Sequence, residues 1–230
     1  MGMGKIINVI LSSNPIYLMT LKSLSKRTNH EWIYVENKDD FNLQILKEKK
    51  INRIFVPHWS YKIPESIYNK YEVILFHMTD LPFGRGGSPL QNLIKLGYNK
   101  TKVSAIRVTD GIDEGPIYLK RSLSLNGSAE QIFNRTSSII TNMIIKINEN
   151  KLIPKPQLGK PVYFKRRIPD QSRISDLNSI KEIYDHIRML DCEGYPKAFL
   201  EFERYRFEFE NVRLENEENL VAKVNIKLLS

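Results

Sequence analysis

EVILFHMTDLPFGRGGSPL, residues 72–90, is the stretch on which the fold turns. Glu72 to His77 is an apolar run of strand length that ends on a histidine. A loop with Gly84, Gly86 and Gly87 follows and leads into a helical pattern over 90–96. A strand this apolar is covered on both faces, as strands of parallel sheets are. Ligands of such sheets sit off the carboxyl ends of the strands, so His77 stands where reactive groups belong. The glycines let the backbone approach a ligand closely. A lone histidine at a strand end also serves as a hydrogen-bonded rim residue, and both uses stay open.

Outward from this stretch the alternation repeats. Residues 5–11 (KIINVIL), 32–35 and 53–56 are short apolar runs of strand type. Helical patterns lie between them, over about 16–25 and 41–49. Pro64 can open a short helix through Tyr68, since proline fits a first helical turn. Beyond the loop come strands over 103–108 and 117–125. The longest helix opens near Ser128, where Ser128 and Gln131 have capping-box spacing. Ile132, Ile139, Ile140, Met143, Ile144 and Ile147 then recur at helical intervals, with one polar gap at Thr136. Strands alternating with helices predict an α/β body on a parallel sheet. Further on, a helix over 180–190 and strands over 199–202, 205–209 and 220–228 predict a small antiparallel, α+β appendage. The chain divides accordingly into an α/β domain (1–150), a basic extended connection (151–173) and a small C-terminal subdomain (174–230).

The chain carries 35 Lys and Arg against 26 Asp and Glu, a formal +9, and the excess is local. Residues 150–173 hold seven bases, among them Lys165, Arg166, Arg167 and Arg173, against Asp170 alone. Pro154, Pro156, Pro161 and Pro169 exclude helix and central strand there. The stretch is either a solvated connection or a phosphate clamp, because arginines on a stiff backbone pair well with phosphate oxygens. Over 191–218 the balance reverses, with nine acids against four bases. The lone Cys192 excludes an internal disulfide and a multi-cysteine zinc site. The four histidines have no metal-ligand spacing, so no metal site is expected. No apolar run reaches about 18 residues, which excludes a helical membrane span. The apolar stretch near the start is too short for a secretory signal, and a reduced, cytoplasmic setting is expected.

TDGIDEGP, residues 109–116, sets three acids in a tight loop between two strands. Such loops are commonly plain turns, but this one follows the His77 stretch in order and at a matching topological position. Together the two resemble the signature of folate-dependent formyltransferases. That signature has a strand ending in His, a Leu-Pro step, Arg-Gly-Gly-x-Pro, and an Asp-x-Gly-Pro loop, here Asp113 to Pro116. His58 to Pro64 (HWSYKIP) occupies the place of the family's pterin-facing segment. The resemblance covers most of residues 5–150. The wording FHMTDLPFGRGGSPLQNLI, with IRMLDCEGYPKAF later, is similar to nucleotide-sugar N-formyltransferases of the pseudaminic-acid-pathway type.

The resemblance implies a Rossmann-like formyltransferase sheet. It also implies formyl transfer from 10-formyltetrahydrofolate to the primary amine of a nucleotide-linked amino sugar, such as a UDP-4-amino-4,6-dideoxy sugar. His77 would donate to the developing oxyanion and Asp113 would steer the amine's proton. Trp59, Tyr61, Lys62, Leu81, Phe83, Arg107, Asp110 and Asp113 would lie along the folate. Trp59 and Tyr61 could equally pack under the sheet, and Arg85 could hold an anion or make structural hydrogen bonds. For the acceptor, Arg166 and Arg167 would pair with the diphosphate, while Tyr195 and Phe199 would stack on base or sugar or close a small core.

One position departs from the pattern. The family's asparagine two residues before the histidine, on the same strand face, is Leu75 here, which can neither donate to an oxyanion nor orient a carbonyl. The alternatives are a methionyl-tRNA formyltransferase-like enzyme, which shares the His and Asp motifs, and a folate-binding domain without turnover. The short acidic tail argues against the tRNA enzyme, since RNA binding needs a basic face. The expected partners are therefore a nucleotide sugar and folate, with nucleic acid disfavoured and no membrane partner. Paired C-terminal strands make a homodimer the candidate assembly.

Overall fold

The computed structural model describes residues 5–150 and 152–229. In chain order the first elements are β1 (Ile7–Ser12), α1 (Leu18–Arg27), β2 (Glu31–Val35), α2 (Leu43–Glu48), β3 (Arg53–His58), α3 (Glu65–Tyr68) and β4 (Glu72–His77). Then come the two-residue β5 (Arg85–Gly86), α4 (Pro89–Lys95), β6 (Lys100–Arg107), β7 (Ile117–Ser124) and α5 (Ala129–Glu149). The two-residue β8 (Tyr163–Phe164), α6 (Ile180–Arg188), β9 (Ala198–Phe202), β10 (Tyr205–Leu214) and β11 (Leu220–Leu228) close the series. A six-stranded sheet runs in the order β2-β1-β3-β4-β6-β7, and a three-stranded sheet in the order β11-β10-β9.

The chain forms two compact units that interleave along the sequence. One takes the residues up to Gly86 with Thr101–Leu123 and Asn134–Tyr163; the other takes Gly87–Lys100, Ser124–Phe133 and the chain from Phe164 onward.

In the first unit β1, β2, β3 and β4 pair in parallel. β4 and β6 are antiparallel, with Ile74 opposite Arg107 and His77 opposite Ser104. The expected all-parallel sheet is therefore mixed. Both strands are apolar in their buried parts, and strand direction is set by the connection, which leaves no mark on the pattern of the strand itself.

Both faces of this sheet are covered, which accounts for the unbroken apolar runs. On one face Val9, Leu11, Ile54, Val56 and Val73 pack with Phe41, Leu46, Ile63 and Ile67 in one cluster. On alternate positions Ile10, Phe55 and Ile74 are wholly buried. α1 and α5 meet through Thr20 and Ser137, whose hydroxyls are 2.9 Å apart. Thr141 donates to the Ser137 carbonyl at 2.9 Å. This polar seam lies beside the gap in the α5 stripe, where Thr136 is itself fully buried. The capping box at Ser128 forms as its spacing predicts, each residue accepting from the other's backbone amide at 3.1 and 3.3 Å.

In the second unit α6 packs against β10, capped by Ser179, whose hydroxyl accepts from the Glu182 amide. The acids of the tail are balanced across the strands: Glu201 with Arg206 at 2.6 Å, Glu210 with Lys223 at 2.7 Å and Glu208 with Lys227 at 2.7 Å.

Candidate active site

His77 ends β4 and is 6% exposed. The loop after β6 folds back beside it, so that Asp113 Oδ2 lies 3.5 Å from His77 Nδ1. The other ring nitrogen, Nε2, is 2.7 Å from the Gly84 carbonyl. Each nitrogen thus faces an acceptor, and a proton on either has somewhere to be donated. Asp113 Oδ2 also accepts from the Gly86 amide at 2.9 Å. The glycine loop therefore holds both His77 and Asp113 by its backbone.

Asp113 has φ +54°, a left-handed conformation that aspartate tolerates better than most residues. Two things hold it. Gly115 passes so close to the Arg107 carbonyl that a Cβ on it would sit 1.7 Å from that oxygen, so glycine is obligatory. The Gln157 side-chain amide donates to the carbonyls of Asp113 (2.7 Å) and Gly115 (2.9 Å). Its own oxygen accepts from Arg85 Nε (3.2 Å) and Nη2 (2.9 Å). Arg85 Nη1 donates to Glu114 at 3.0 Å and to the Tyr163 hydroxyl at 3.1 Å. Tyr163 in turn donates to Glu114 at 2.8 Å. A buried arginine with every face of its guanidinium used in this way is a structural clamp.

A second anchor fixes the loop on the other side of His77. Asp80 pairs with Lys120 at 2.5 Å and Lys102 at 2.9 Å. Burial pulls its carboxyl upward, but the two ammonium groups outweigh it and hold the carboxyl below its ordinary range.

Of the residues expected along the folate, Lys62 and Asp110 meet at 3.2 Å, both largely exposed, which brings the 58–63 and 107–113 segments together. Trp59 packs edge-on against Phe41 and Tyr61, at 6.3 and 5.3 Å between ring centres, and Lys38 lies over Tyr61 at 5.4 Å. Phe83 is partly exposed and Arg107 exposed. Leu81 has no exposed surface and belongs to the core. Leu75, at the asparagine position, packs against the core cluster and offers no donor.

The residues expected at the acceptor are largely occupied within their own unit. Phe199 is 5% exposed, with Arg206 over its ring at 3.9 Å and Arg173 at 5.0 Å. Tyr195 stacks on Phe133 at 5.5 Å, and burial pushes its phenol well above the ordinary value. Arg167 is half-buried; its amide donates to Ser88 Oγ at 3.0 Å and its guanidinium to the Gln171 carbonyl. Arg166 is exposed, and it lies against Gly87, where an added Cβ would meet the Arg166 Cβ at 2.5 Å and its Cα at 2.7 Å. Tyr195, Phe199 and Arg167 are thus packing residues in this structure. Gln157 and Tyr163 carry the clamp and were not singled out from the sequence. Their signal is faint: one neutral amide between prolines in an otherwise basic stretch.

A family model described as the methionyl-tRNA formyltransferase C-terminal domain matches residues 169–227. The structure of a methionyl-tRNA formyltransferase from Clostridium thermocellum superposes with a TM-score of 0.93 at 42% identity, covering 97% of this chain and 99% of that one. The chain belongs to the formyltransferase family. Methionyl-tRNA formyltransferase of Thermodesulfovibrio yellowstonii is 29% identical over 177 residues, 74% of this chain and 58% of that protein. The chain spans little more than half the length of such curated relatives. The formyltransferase PseJ from Anoxybacillus kamchatkensis, in complex with UDP-4,6-dideoxy-4-formamido-L-AltNAc and tetrahydrofolate, superposes at TM-score 0.55 and 17% identity over 69% of this chain. That likeness shows the formyltransferase fold alone.

These matches overturn the nucleotide-sugar reading. The segment whose acidity argued against the tRNA enzyme is the very one that matches its C-terminal domain. The acidity itself is only partly offset further on, where two more lysines against no acid leave 191–230 with nine acids and six bases. Lys223 and Lys227 lie just beyond residue 218, and they neutralise Glu210 and Glu208 across the sheet.

Proposed function

We propose that this chain transfers the formyl group of 10-formyltetrahydrofolate to the amino group of methionyl-tRNA. The observation that carries the reading is the buried His77–Asp113 pair at 3.5 Å. It is held at the end of β4 by the glycine loop, in a chain similar over nearly its whole length to a methionyl-tRNA formyltransferase. The folate donor supplies an activated formyl group, and the segments 58–63 and 107–113, linked through Lys62 and Asp110, offer it backbone groups and the flat faces of Trp59 and Tyr61.

In the transfer a bond forms between the amine nitrogen and the formyl carbon, and the bond from that carbon to the folate nitrogen breaks. His77 exchanges one of its two acceptors, the Asp113 carboxylate or the Gly84 carbonyl, for the formyl oxygen and donates to it as negative charge gathers there. Asp113 takes the proton that the amine sheds, directly or through water, while the departing folate nitrogen gains one. With leucine at position 75, the oxyanion has no side-chain amide beside the histidine. The protein's 35 basic residues against 26 acidic ones suit a polyanionic acceptor.

The test is formylation of purified methionyl-tRNA in the presence of 10-formyltetrahydrofolate. Formyl-methionyl-tRNA should form, and His77→Asn should lower the rate by about 10²–10⁴-fold with an unchanged melting curve. If the folate binds but methionyl-tRNA is not formylated, the chain is a folate-binding domain and the proposal fails. An active His77→Asn protein would remove the histidine from the mechanism.

A further inference from the structure

The Gly84 carbonyl has two side-chain donors. His77 Nε2 lies 2.7 Å from it, and the Thr79 hydroxyl donates to it at 3.3 Å. A carbonyl only accepts, so the ring nitrogen on this side carries the proton. Thr79 has no exposed surface, and Gly84 is buried.

The turn that carries Thr79 is tied down residue by residue. Ser104 faces His77 across β4 and β6. Its hydroxyl donates to the Thr79 carbonyl at 2.7 Å and accepts from the Leu81 amide at 3.4 Å. Lys120 donates to the Asp80 carboxylate and to the Leu81 carbonyl, both at 2.5 Å. The Thr79 hydroxyl is thus presented to the Gly84 carbonyl by a fixed backbone. All of these groups belong to the first unit.

To serve the formyl oxygen, His77 gives up one of its acceptors. A neutral carbonyl is the weaker partner for a ring N–H than a carboxylate. Keeping Asp113 beside the ring also offsets positive charge on the imidazole. The Gly84 carbonyl is therefore the acceptor to release. A buried carbonyl left without a donor would add its own penalty to the barrier. We propose that Thr79 is a positioning residue for formyl transfer: its hydroxyl keeps the Gly84 carbonyl paired while the His77 Nε2–H turns to the formyl oxygen. Its bond is long while the histidine holds the carbonyl, and it tightens as the histidine leaves. The Thr79 proton stays on its own oxygen throughout. The inference rests on the proposed role of His77 as donor to the formyl oxygen.

The test is a pair of double-mutant cycles on the full chain, one on stability and one on rate. Thr79→Val exchanges the hydroxyl for a methyl of similar size, and His77→Leu removes the ring N–H groups. Either change alone leaves the carbonyl one donor. In equilibrium unfolding, Thr79→Val by itself should lower the folding constant less than ~5-fold. In the His77→Leu background the same change orphans the carbonyl and should lower it by about 10–100-fold.

The rate cycle uses His77→Asn and so does not depend on how well the leucine variant folds. Thr79→Val should lower kcat about tenfold with KM unchanged, the mark of an interaction made in the transition state. Thr79→Ser should restore kcat, and in the His77→Asn background Thr79→Val should cost nothing further. Additive effects in either cycle would overturn the inference. So would a Thr79→Val kcat within twofold of wild type while His77→Asn is impaired, or a Thr79→Ser protein no better than Thr79→Val. A fully active His77→Asn protein would sink the donor role of the histidine and the inference with it. If methionyl-tRNA is not formylated, the acceptor is wrong. The stability cycle, read without substrate, then still decides whether Thr79 backs up His77 at the carbonyl.

Discussion

Replacing Gln157 with leucine removes four hydrogen bonds at once. The carbonyls of Asp113 and Gly115 lose their donor, and Arg85 loses the acceptor for two of its N–H groups. A neutral hydrogen bond nets about 1 kcal/mol and one to a charged group about 1.5–3 kcal/mol. Gln157 is partly exposed, so water replaces some of this, and the net loss comes to about 3 kcal/mol. For a chain of this length that lowers Tm by roughly 6–12 °C. The larger effect is on rate. Without the clamp Asp113 can leave its left-handed conformation, and a displacement of about 1 Å costs on the order of 10²-fold in turnover. Calorimetry and initial rates of formylation measure the two effects separately. Gln157→Glu sharpens the test: it still accepts from Arg85 but sets an acceptor against two carbonyls, so it should recover part of the stability and none of the rate. A Gln157→Leu protein within 2 °C and twofold of wild type would refute the clamp.

Gly115→Ala should damage the same loop from the other side. Its Cβ overlaps the Arg107 carbonyl, so the hydrogen bond from the Arg107 amide to Pro116 breaks and turnover falls about 10²-fold, read as kcat with the far-ultraviolet spectrum retained. His186 gives a pH signature. Burial, reinforced by Arg167 and Lys95 and opposed by the bond to the Ser172 carbonyl, holds its imidazole below 6.5. The unfolded chain therefore takes up the proton first, so stability drops as pH falls from 6.5 toward the folded value. Thermal melts from about pH 7.5 to 5 should flatten over that window in His186→Gln, and an unchanged slope would exclude the histidine as its source. Glu72 accepts from Arg53 and from the Tyr118 hydroxyl, both at 2.5 Å. Glu72→Leu should cost about 2–4 kcal/mol by removing the acceptor of both Arg53 Nε and the Tyr118 hydroxyl, with Tyr118→Phe costing less in equilibrium unfolding.

The legible parts of the sequence were those with a local or periodic cause. β4 coincides with its apolar run at both ends, β11 likewise, and the helix cap at Ser128 follows from two residues three apart. His77 and Asp113 were found through motif order, and the structure sets them 3.5 Å apart. The direction of β6 was not legible, because its residues would serve either direction equally well. Nor was the clamp. Gln157 reaches back 44 residues to Asp113 and 72 to Arg85, and a side chain bonding to distant backbone leaves no periodic trace. The pairing of the tail's acids escaped for a similar reason: partners of Glu208 and Glu210 lie on the next strand, not the next turn.

Gln157 also sets an order in time. His77, Asp113 and Arg85 have all been synthesised by the time the chain reaches residue 114, yet the side chain that ties Asp113 to Arg85 comes 43 residues later, and Tyr163 later still. A nascent chain paused within α5 has the proposed reacting groups without the clamp that fixes Asp113. If the proposed reaction holds, full competence is a late event in biosynthesis, and fragments ending before residue 157 should turn over at least as slowly as Gln157→Leu.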